Sequence, residues 1–328
     1  MAAATVLPAS NPESIRIAGA IIRQGGLVAF PTETVYGLGC DALNPEAVAR
    51  VFEAKQRPHF DPLIVHIADR ATLESLTPFV STRDHRLIDA FWPGPLTLVM
   101  QKREQVPDLV TAGLPTVAVR MPSHPVARAL IREAEVPIAA PSANPFGYVS
   151  PTCAQHVVDG LGDRIDLILD GGPCPIGVES TIVSMVGTWP ELLRPGSITL
   201  ADIREVMGPV VRATAGRTVA APGQLPRHYA TRTPMTVLAA PEVRPILHAH
   251  ERAGLLAMST PGHGDERFCA IDVLSASGDL REAARNLFAA LRRLDALDLD
   301  RLYAVPCEDQ GLGLAIMDRL RRCAAPLD

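Results

Sequence analysis

Residues 25–57, GGLVAFPTETVYGLGCDALNPEAVARVFEAKQR, constrain the fold more than any other stretch of this chain. An apolar run at 27–30 reads as a short strand and is broken by Pro31. Proline has no amide hydrogen and a fixed φ, so it ends a ladder. The chain then turns through Thr32, Glu33, Thr34, Tyr36, Gly37 and Gly39. Asn44-Pro45-Glu46 opens a helix, with Asn as the cap and Pro at the first helical position. Ala47, Val48, Val51 and Phe52 form its apolar stripe. A strand that runs through a polar, glycine-punctuated turn into a helix is a common ligand-holding unit of α/β proteins. Gly37 and Gly39 would let backbone approach a bound molecule closely. The same residues fit a sharp turn with solvated threonines. Lys55 and Arg57, just before Pro58, fit either a phosphate clamp or a cationic end to the helix dipole.

The rest of the chain repeats these signals. Asn11-Pro12-Glu13 starts a helix with Ile15, Ala18, Ile21 and Ile22 on one face, and Gly25-Gly26 ends it. Strands are expected at 63–67, 96–100, 117–119, 138–140, 167–169 and 181–185, with a helix at 125–133. The irregular order predicts an α/β fold with a mixed, twisted sheet. Residues 212–232, RATAGRTVAAPGQLPRHYATR, lack periodicity and read as a linker. A second α/β pattern follows Pro234. Strands are expected at 236–239, 254–258 and 302–305, and a final helix at 313–323. Asp279 and Glu282 have capping spacing ahead of a stripe running from Leu280 through Leu287, Phe288 and Leu291 to Leu294. The expected division is a first domain at 10–207, a linker at 208–234 and a second domain at 235–328.

With 47% apolar residues, the chain can bury a sizeable core. A net charge of −5 argues against gripping nucleic acid by bulk electrostatics, and 4% aromatics against a base-stacking platform. The six cysteines show neither CxxC pairs nor zinc spacing, and are expected to be reduced, as in a cytosolic protein. No apolar run reaches the roughly 20 residues of a membrane span, and residues 1–14 do not read as a secretion signal.

Candidate chemistry sits at element junctions. His66 lies within LIVHI, and Arg120 ends TVAVR. A buried arginine needs an anion, either a protein carboxylate or one from a substrate. Ser142 and Asn144, after the strand PIAA, suit a nucleotide contact or an Asx/ST turn. Gly177, Glu179, Ser180 and Thr181 form another polar approach to a strand, and Arg194 precedes a turn. The chain lacks GxxxxGK[ST], GxGxxG and any nucleophile triad context. A site of this kind works by positioning and charge neutralisation.

FPTETVYGLGCDA, KxRP at 55–58, PLIVHI, FWPGPLTLV, TVAVRMPSHP, APSANPFGYVSPT, GGPCPIGVESTIV and LRPG occur here in one order. Together they resemble the YrdC/Sua5 family, and PGQLPRHYATRTP with GLGLAIMDRLRR resembles its longer Sua5 form. The resemblance implies a YrdC-like twisted mixed sheet with a large open cavity, followed by a small Rossmann-like α/β domain. It implies an enzyme that condenses L-threonine, bicarbonate or CO2, and ATP carrying Mg2+ into threonylcarbamoyl-AMP and pyrophosphate. Downstream proteins would pass the threonylcarbamoyl group to the adenosine at position 37 of tRNA, so this chain's own tRNA contact would be weak or indirect. By motif, Thr34, His66, Arg120, Ala140 and Ser180 resemble the threonine site. Lys55, Arg57, Asp61, Thr116, Ser142, Asn144, Ser150, Arg194 and Tyr229 resemble the ATP site, Lys55 and Arg57 being the expected catalytic pair. Asp61, Thr231 and Met317 stand where the family commonly has Asn, Pro and Asn. The alternative reading is an RNA-binding module in ribosome or tRNA maturation, which the acidic balance disfavours.

Overall fold

The computed structural model describes residues 4–213, 221–223, 225, 228–248, 250–260 and 265–326. Residues 214–220, 224, 226 and 227 of the expected linker therefore lie outside the described residues.

Among the described residues, fifteen strands form two sheets. The larger holds β1 (Thr5–Pro8), β2 (Val28–Phe30), β3 (Gly37–Asp41), β4 (Ile64–His66), β5 (Leu96–Gln101), β6 (Thr116–Arg120), β7 (Ile138–Ala139), β8 (Leu167–Asp170), β9 (Thr181–Ser184), β10 (Glu191–Arg194) and β11 (Val211–Arg212). Their spatial order is β1-β8-β2-β3-β7-β4-β6-β5-β9-β10-β11, with parallel and antiparallel neighbours mixed as the sequence predicts. This sheet overruns both ends of the expected 10–207 unit, because β1 pairs with β8 and β11 with β10. The smaller sheet is parallel, in the order β12 (Met235–Val237), β15 (Arg301–Ala304), β13 (Ala253–Ala257), β14 (Ala270–Val273). The helices are α1 (Pro12–Arg23), α2 (Pro45–Lys55), α3 (Leu73–Leu76), α4 (Thr82–Phe91), α5 (Asp108–Thr111), α6 (Pro125–Ala134), α7 (Ala154–Leu161), α8 (Leu200–Met207), α9 (Leu280–Asp295) and α10 (Gly313–Cys323). None is long and apolar enough to cross a membrane.

The caps form as their residues dictate. Asn11 and Asn44 each accept first-turn amides, and Asp279 accepts from the Glu282 amide. The Glu282 carboxylate does not complete a capping box; it accepts from Ser275 Oγ at 2.6 Å.

One part of the organising stretch differs from expectation. Gly37 and Gly39 do not lie in a turn before the helix but in β3, antiparallel to β2. At Gly39 a Cβ would stand 2.8 Å from both Phe30 Cε1 and Ile138 Cγ2. The strand is bare of side chains there so that Phe30 can pack across it.

The apolar clusters explain how the two sheets are held. Ile15, Ala18 and Ile22 of α1 pack with Leu130, Ile131 and Ala134 of α6 on one face of the large sheet. Each such large side chain contributes roughly 1.5–3 kcal/mol when fully buried. Another cluster joins Val35, Val149, Val178 and Tyr229 to Leu287, Phe288 and Leu291 of α9. The smaller sheet thus shares a core with loops of the larger one.

Candidate active site

The loop after β2 is fixed by its own hydroxyls. Thr32 Oγ1 accepts from the amides of Thr34 (3.1 Å) and Val35 (3.2 Å), and lies 2.8 Å from Thr34 Oγ1. Tyr36 anchors the loop's far end by donating its hydroxyl to the Gly172 carbonyl at 2.8 Å. Thr32 and Thr34 therefore face a cavity of about 40 Å³ as rigid donors and acceptors.

Strand register brings the next residues to the same cavity. His66 ends β4 and pairs with Arg120 at the end of β6 and with Ile138 of β7. Arg120 Nη1 donates to Thr34 Oγ1 (2.9 Å) and Nε to the Gly94 carbonyl (3.3 Å). Its Nη2 is ion-paired with Glu33 Oε1 at 2.8 Å. Of the two anions that a buried Arg120 could take, the protein supplies one. Burial alone would raise the Glu33 pKa, but the Arg120 charge and hydrogen bond, with the Ser123 amide, bring it below the usual carboxylate value. His66 is pushed down to about 3 by burial and then by the Arg120 charge, so its imidazole is neutral at physiological pH. Its Nδ1 is buried without a hydrogen-bond partner among the described residues.

A second cation enters from the end of α2. Gln56 takes a left-handed conformation (φ 53°), and Arg57 turns inward. Arg57 donates to the carbonyls of Asp61 (3.1 Å) and Pro62 (2.9 Å), and its Nη2 pairs with Asp61 Oδ2 at 2.8 Å. Asp61 is fully buried. Burial raises its pKa, while Arg57, Lys55 and Arg194 oppose that rise. It is therefore the counter-ion of Arg57, not a bare carboxylate facing the cavity.

Lys55 corrects the expected clamp. Its Nζ is buried and donates to the carbonyls of Ser142 (2.6 Å) and Asn144, and it does not line the cavity. Burial, then the Arg57 charge, lowers its pKa well below that of a free lysine. An ammonium carries three protons, and two loop carbonyls take two of them. Lys55 thereby ties the loop that presents Ser142. Asn144 is turned into its own loop, where Nδ2 donates to the carbonyls of Pro145 (2.8 Å) and Tyr148 (2.9 Å). Ala140 and Ser142 line the cavity, whereas Asn144, Ser150 and Thr116 do not. Thr116 lies on the Arg120 face of β6 but four residues back, roughly 13 Å at ~3.3 Å per residue.

The far wall comes from β9, β10 and the linker. Arg194 donates through Nε to the Ser180 carbonyl, through Nη2 to Ser180 Oγ and through Nη1 to the Pro222 carbonyl, each at 3.1 Å. Among the described residues no carboxylate pairs with it. Ser180 Oγ also lies 2.7 Å from Thr97 Oγ1. Pro222, Gly223, His228 and Tyr229 roof the cavity, which is small for that reason instead of wide and open. Tyr229 (φ 64°) stacks on Phe288, with ring centroids 5.4 Å apart, and its buried hydroxyl has no hydrogen-bond partner among the described residues. Ala221 is buried over an apolar patch of Ile64, Val99, Ala118, Ile182 and Leu193.

Sequence reasoning gave no role to Glu33 or Glu179 and missed Arg319. Glu179 lines the cavity and accepts from Ser150 Oγ (2.5 Å) and Arg319 Nε (3.0 Å). Arg319 had a readable signal. It falls three residues after Ile316 and four before Cys323, on the buried stripe of α10.

A mixed α/β sheet whose strand ends bring hydroxyls, a neutral imidazole and a guanidinium with no directly paired carboxylate among the described residues to one buried cavity is a small-molecule site suited to an anionic, hydroxyl-bearing substrate. Two family models match the chain. Residues 20–196 match the Sua5/YciO/YrdC model described as "Telomere recombination", and residues 198–325 match "Threonylcarbamoyl-AMP synthase, C-terminal domain". The chain belongs to the Sua5/YciO/YrdC family. The threonylcarbamoyl-AMP synthase of Pyrococcus abyssi is 45% identical over 321 residues, covering 94% of each chain. That of Bacillus subtilis is 42% identical over 325 residues, covering 96% of this chain and 94% of its own. The crystal structure of P. abyssi Sua5 complexed with L-threonine superposes with a TM-score of 0.88 at 42% identity, over 96% of this chain and 95% of that one.

Proposed function

We propose that this chain is a threonylcarbamoyl-AMP synthase, acting in the cytoplasm as a nucleotidyltransferase that starts N6-threonylcarbamoyladenosine formation on tRNA. The observation that carries the reading is similarity along nearly the whole chain to proteins of that name. The cavity chemistry supports it.

Threonine binds among Thr34, His66, Arg120, Ser180 and the backbone of Ala140, with Arg120 receiving its carboxylate beside Glu33. Once the ammonium loses a proton, the nitrogen lone pair attacks the carbon of CO2, and loss of a second proton from nitrogen to solvent leaves a carbamate. A carbamate oxygen then attacks the α-phosphorus of ATP, and the bond to the bridging oxygen breaks as pyrophosphate leaves. Arg194, which no carboxylate among the described residues pairs directly, supplies charge for the phosphates, and Arg57, oriented by Asp61, supplies fixed donors. Lys55 serves by holding the Ser142 loop. Mg2+ enters with ATP. Held through phosphate oxygens, it would neutralise charge on the leaving pyrophosphate.

A cavity of about 40 Å³ falls well short of the ~300–1,000 Å³ of pockets that take small molecules. ATP therefore requires Pro222, Gly223 and Tyr229 to withdraw, and Ala221 to uncover the apolar patch for the base. With purified protein, pyrophosphate should appear only when threonine, bicarbonate and MgATP are all present. Release that continues without threonine or bicarbonate would overturn the assignment.

A further inference from the structure

We infer that Arg319 is a positioning residue through which the C-terminal helix α10 sets the nucleotide half of the cavity. This rests on the activity proposed above. Arg319 is fully buried, although it belongs to the smaller-sheet half of the chain. Its Nε donates to Glu179 Oε2 at 3.0 Å, and its Nη1 to the Pro195 carbonyl and to Asp318 Oδ2, both at 2.9 Å. Its guanidinium also lies over the Tyr229 ring, 5.3 Å from the centroid.

Three of these four contacts, all but that to Asp318, have a counterpart in the site. Glu179 lines the cavity and fixes Ser150. Pro195 directly follows Arg194, and the turn behind it is tight: a Cβ on Gly196 would stand 2.4 Å from the Thr181 amide nitrogen. Holding the Pro195 carbonyl therefore holds the end of β10 from which Arg194 reaches inward. Tyr229 is gripped between Arg319 and Phe288. One planar guanidinium thus ties together three pieces of the nucleotide wall, with a fork geometry that lysine cannot copy. Apart from Ser180, which Arg194 holds, the threonine side is anchored separately. Arg120 is held by Glu33, Thr34 and Gly94, and His66 by strand register, none of them in contact with Arg319.

The test is calorimetric binding of α,β-methylene-ATP and, separately, of threonine to the full chain and to Arg319→Met, Arg319→Lys, Glu179→Gln and the Met/Gln double variant. Arg319→Met should weaken nucleotide binding about ten-fold or more, the scale of a lost charged hydrogen bond, and change threonine binding less than about two-fold. Arg319→Lys should recover part of the loss. The double variant should bind nucleotide no worse than the weaker single variant, because the two side chains act as one unit. Equal weakening of both ligands, unchanged nucleotide binding, or additive losses would overturn the inference. Should the Met variant fail to fold, Lys against wild type, checked by circular dichroism and melting temperature, carries the same comparison. Because binding is read without turnover, absent synthase activity in the wild type would sink the activity and leave the Arg319 result to be judged separately.

Discussion

At the scale of single residues, this site is built from charges that neutralise one another before any substrate arrives. Arg57 is matched by Asp61 and Arg120 by Glu33, so the sequence exaggerates how much free positive charge the cavity holds. The histidines carry a measurable consequence. His66 is held down to about 3 by burial and the Arg120 charge, and His156 to about 4 by burial and the Arg292 charge. In the unfolded chain both titrate near ~6.5. Below that pH the unfolded state binds protons that the native state refuses. Their contribution to stability is therefore complete above pH ~6.5 and falls as the pH drops toward the folded values, by ~1.4 kcal/mol per unit for the buried His66 and by less for the half-buried His156, which solvent screens. Thermal melts should lose temperature steadily as the pH drops from 6.5 to 4. The His66→Gln variant should show a shallower slope in that window. A slope identical to wild type would mean that His66 is charged in the folded protein. Glu179 belongs to a different window. Burial pushes its pKa up, but Arg319, Arg194 and Ser150 bring it below the ordinary value, so its contribution is lost only as the pH falls below ~4.5.

At the scale of elements, what could be read in the sequence was whatever depends on neighbours along the chain. Asn11 and Asn44 announce their helices because capping is a local hydrogen bond. The strands at 96–101 and 181–184 announce themselves by apolar run length. β3 does not, because its sequence, GLGCD, is shaped by Phe30 and Ile138 crossing it. The positions of Thr34, His66, Arg120 and Ser180 in one cavity were legible only through resemblance. Their convergence depends on a strand order that no local pattern encodes. Two glycines of one loop separate local from tertiary demand. Gly172 and Gly177 both have positive φ, 79° and 82°. A Cβ at Gly172 would meet nothing within 4 Å, whereas one at Gly177 would stand 2.4 Å from Arg285 Cα in α9. Gly172→Ala should cost ~1–3 kcal/mol, the backbone penalty alone. Gly177→Ala adds ~1–3 kcal/mol of overpacking and pushes Val178 and Glu179 away from α9. Chemical denaturation should rank them in that order, and only the Gly177 variant should lose pyrophosphate release. If the two variants behave alike, the approach of this loop to α9 is not a constraint on the site.

At the scale of the whole molecule, the smaller sheet and its helices form one wall of the site's foundation. Val35 follows the Thr32 and Thr34 turn, Val178 precedes Glu179, and Tyr229 roofs the cavity; all three pack in one cluster with Leu287, Phe288 and Leu291. A different cluster, containing Leu238, Leu255, Phe268 and Tyr303, lies wholly within the smaller-sheet half. The two clusters can be perturbed separately in the intact chain. Leu255 and Phe288 are both fully buried, so truncating either to alanine leaves a cavity and costs ~2–5 kcal/mol. If the C-terminal half merely stabilised the chain, both variants would melt earlier and retain the same activity per folded molecule. Phe288 is also the platform under the Tyr229 ring, with an interplanar angle of 26°, and Leu255 touches nothing in the cavity wall. Phe288→Ala should therefore raise the KM for ATP at a temperature where the variant is fully folded, whereas Leu255→Ala should lower the melting temperature and leave KM unchanged. Steady-state kinetics on the two variants, each assayed well below its own melting temperature, decides the matter. Unchanged ATP kinetics in folded Phe288→Ala would reduce the C-terminal half to a stabilising attachment and leave the Tyr229 roof to be held by the larger sheet alone.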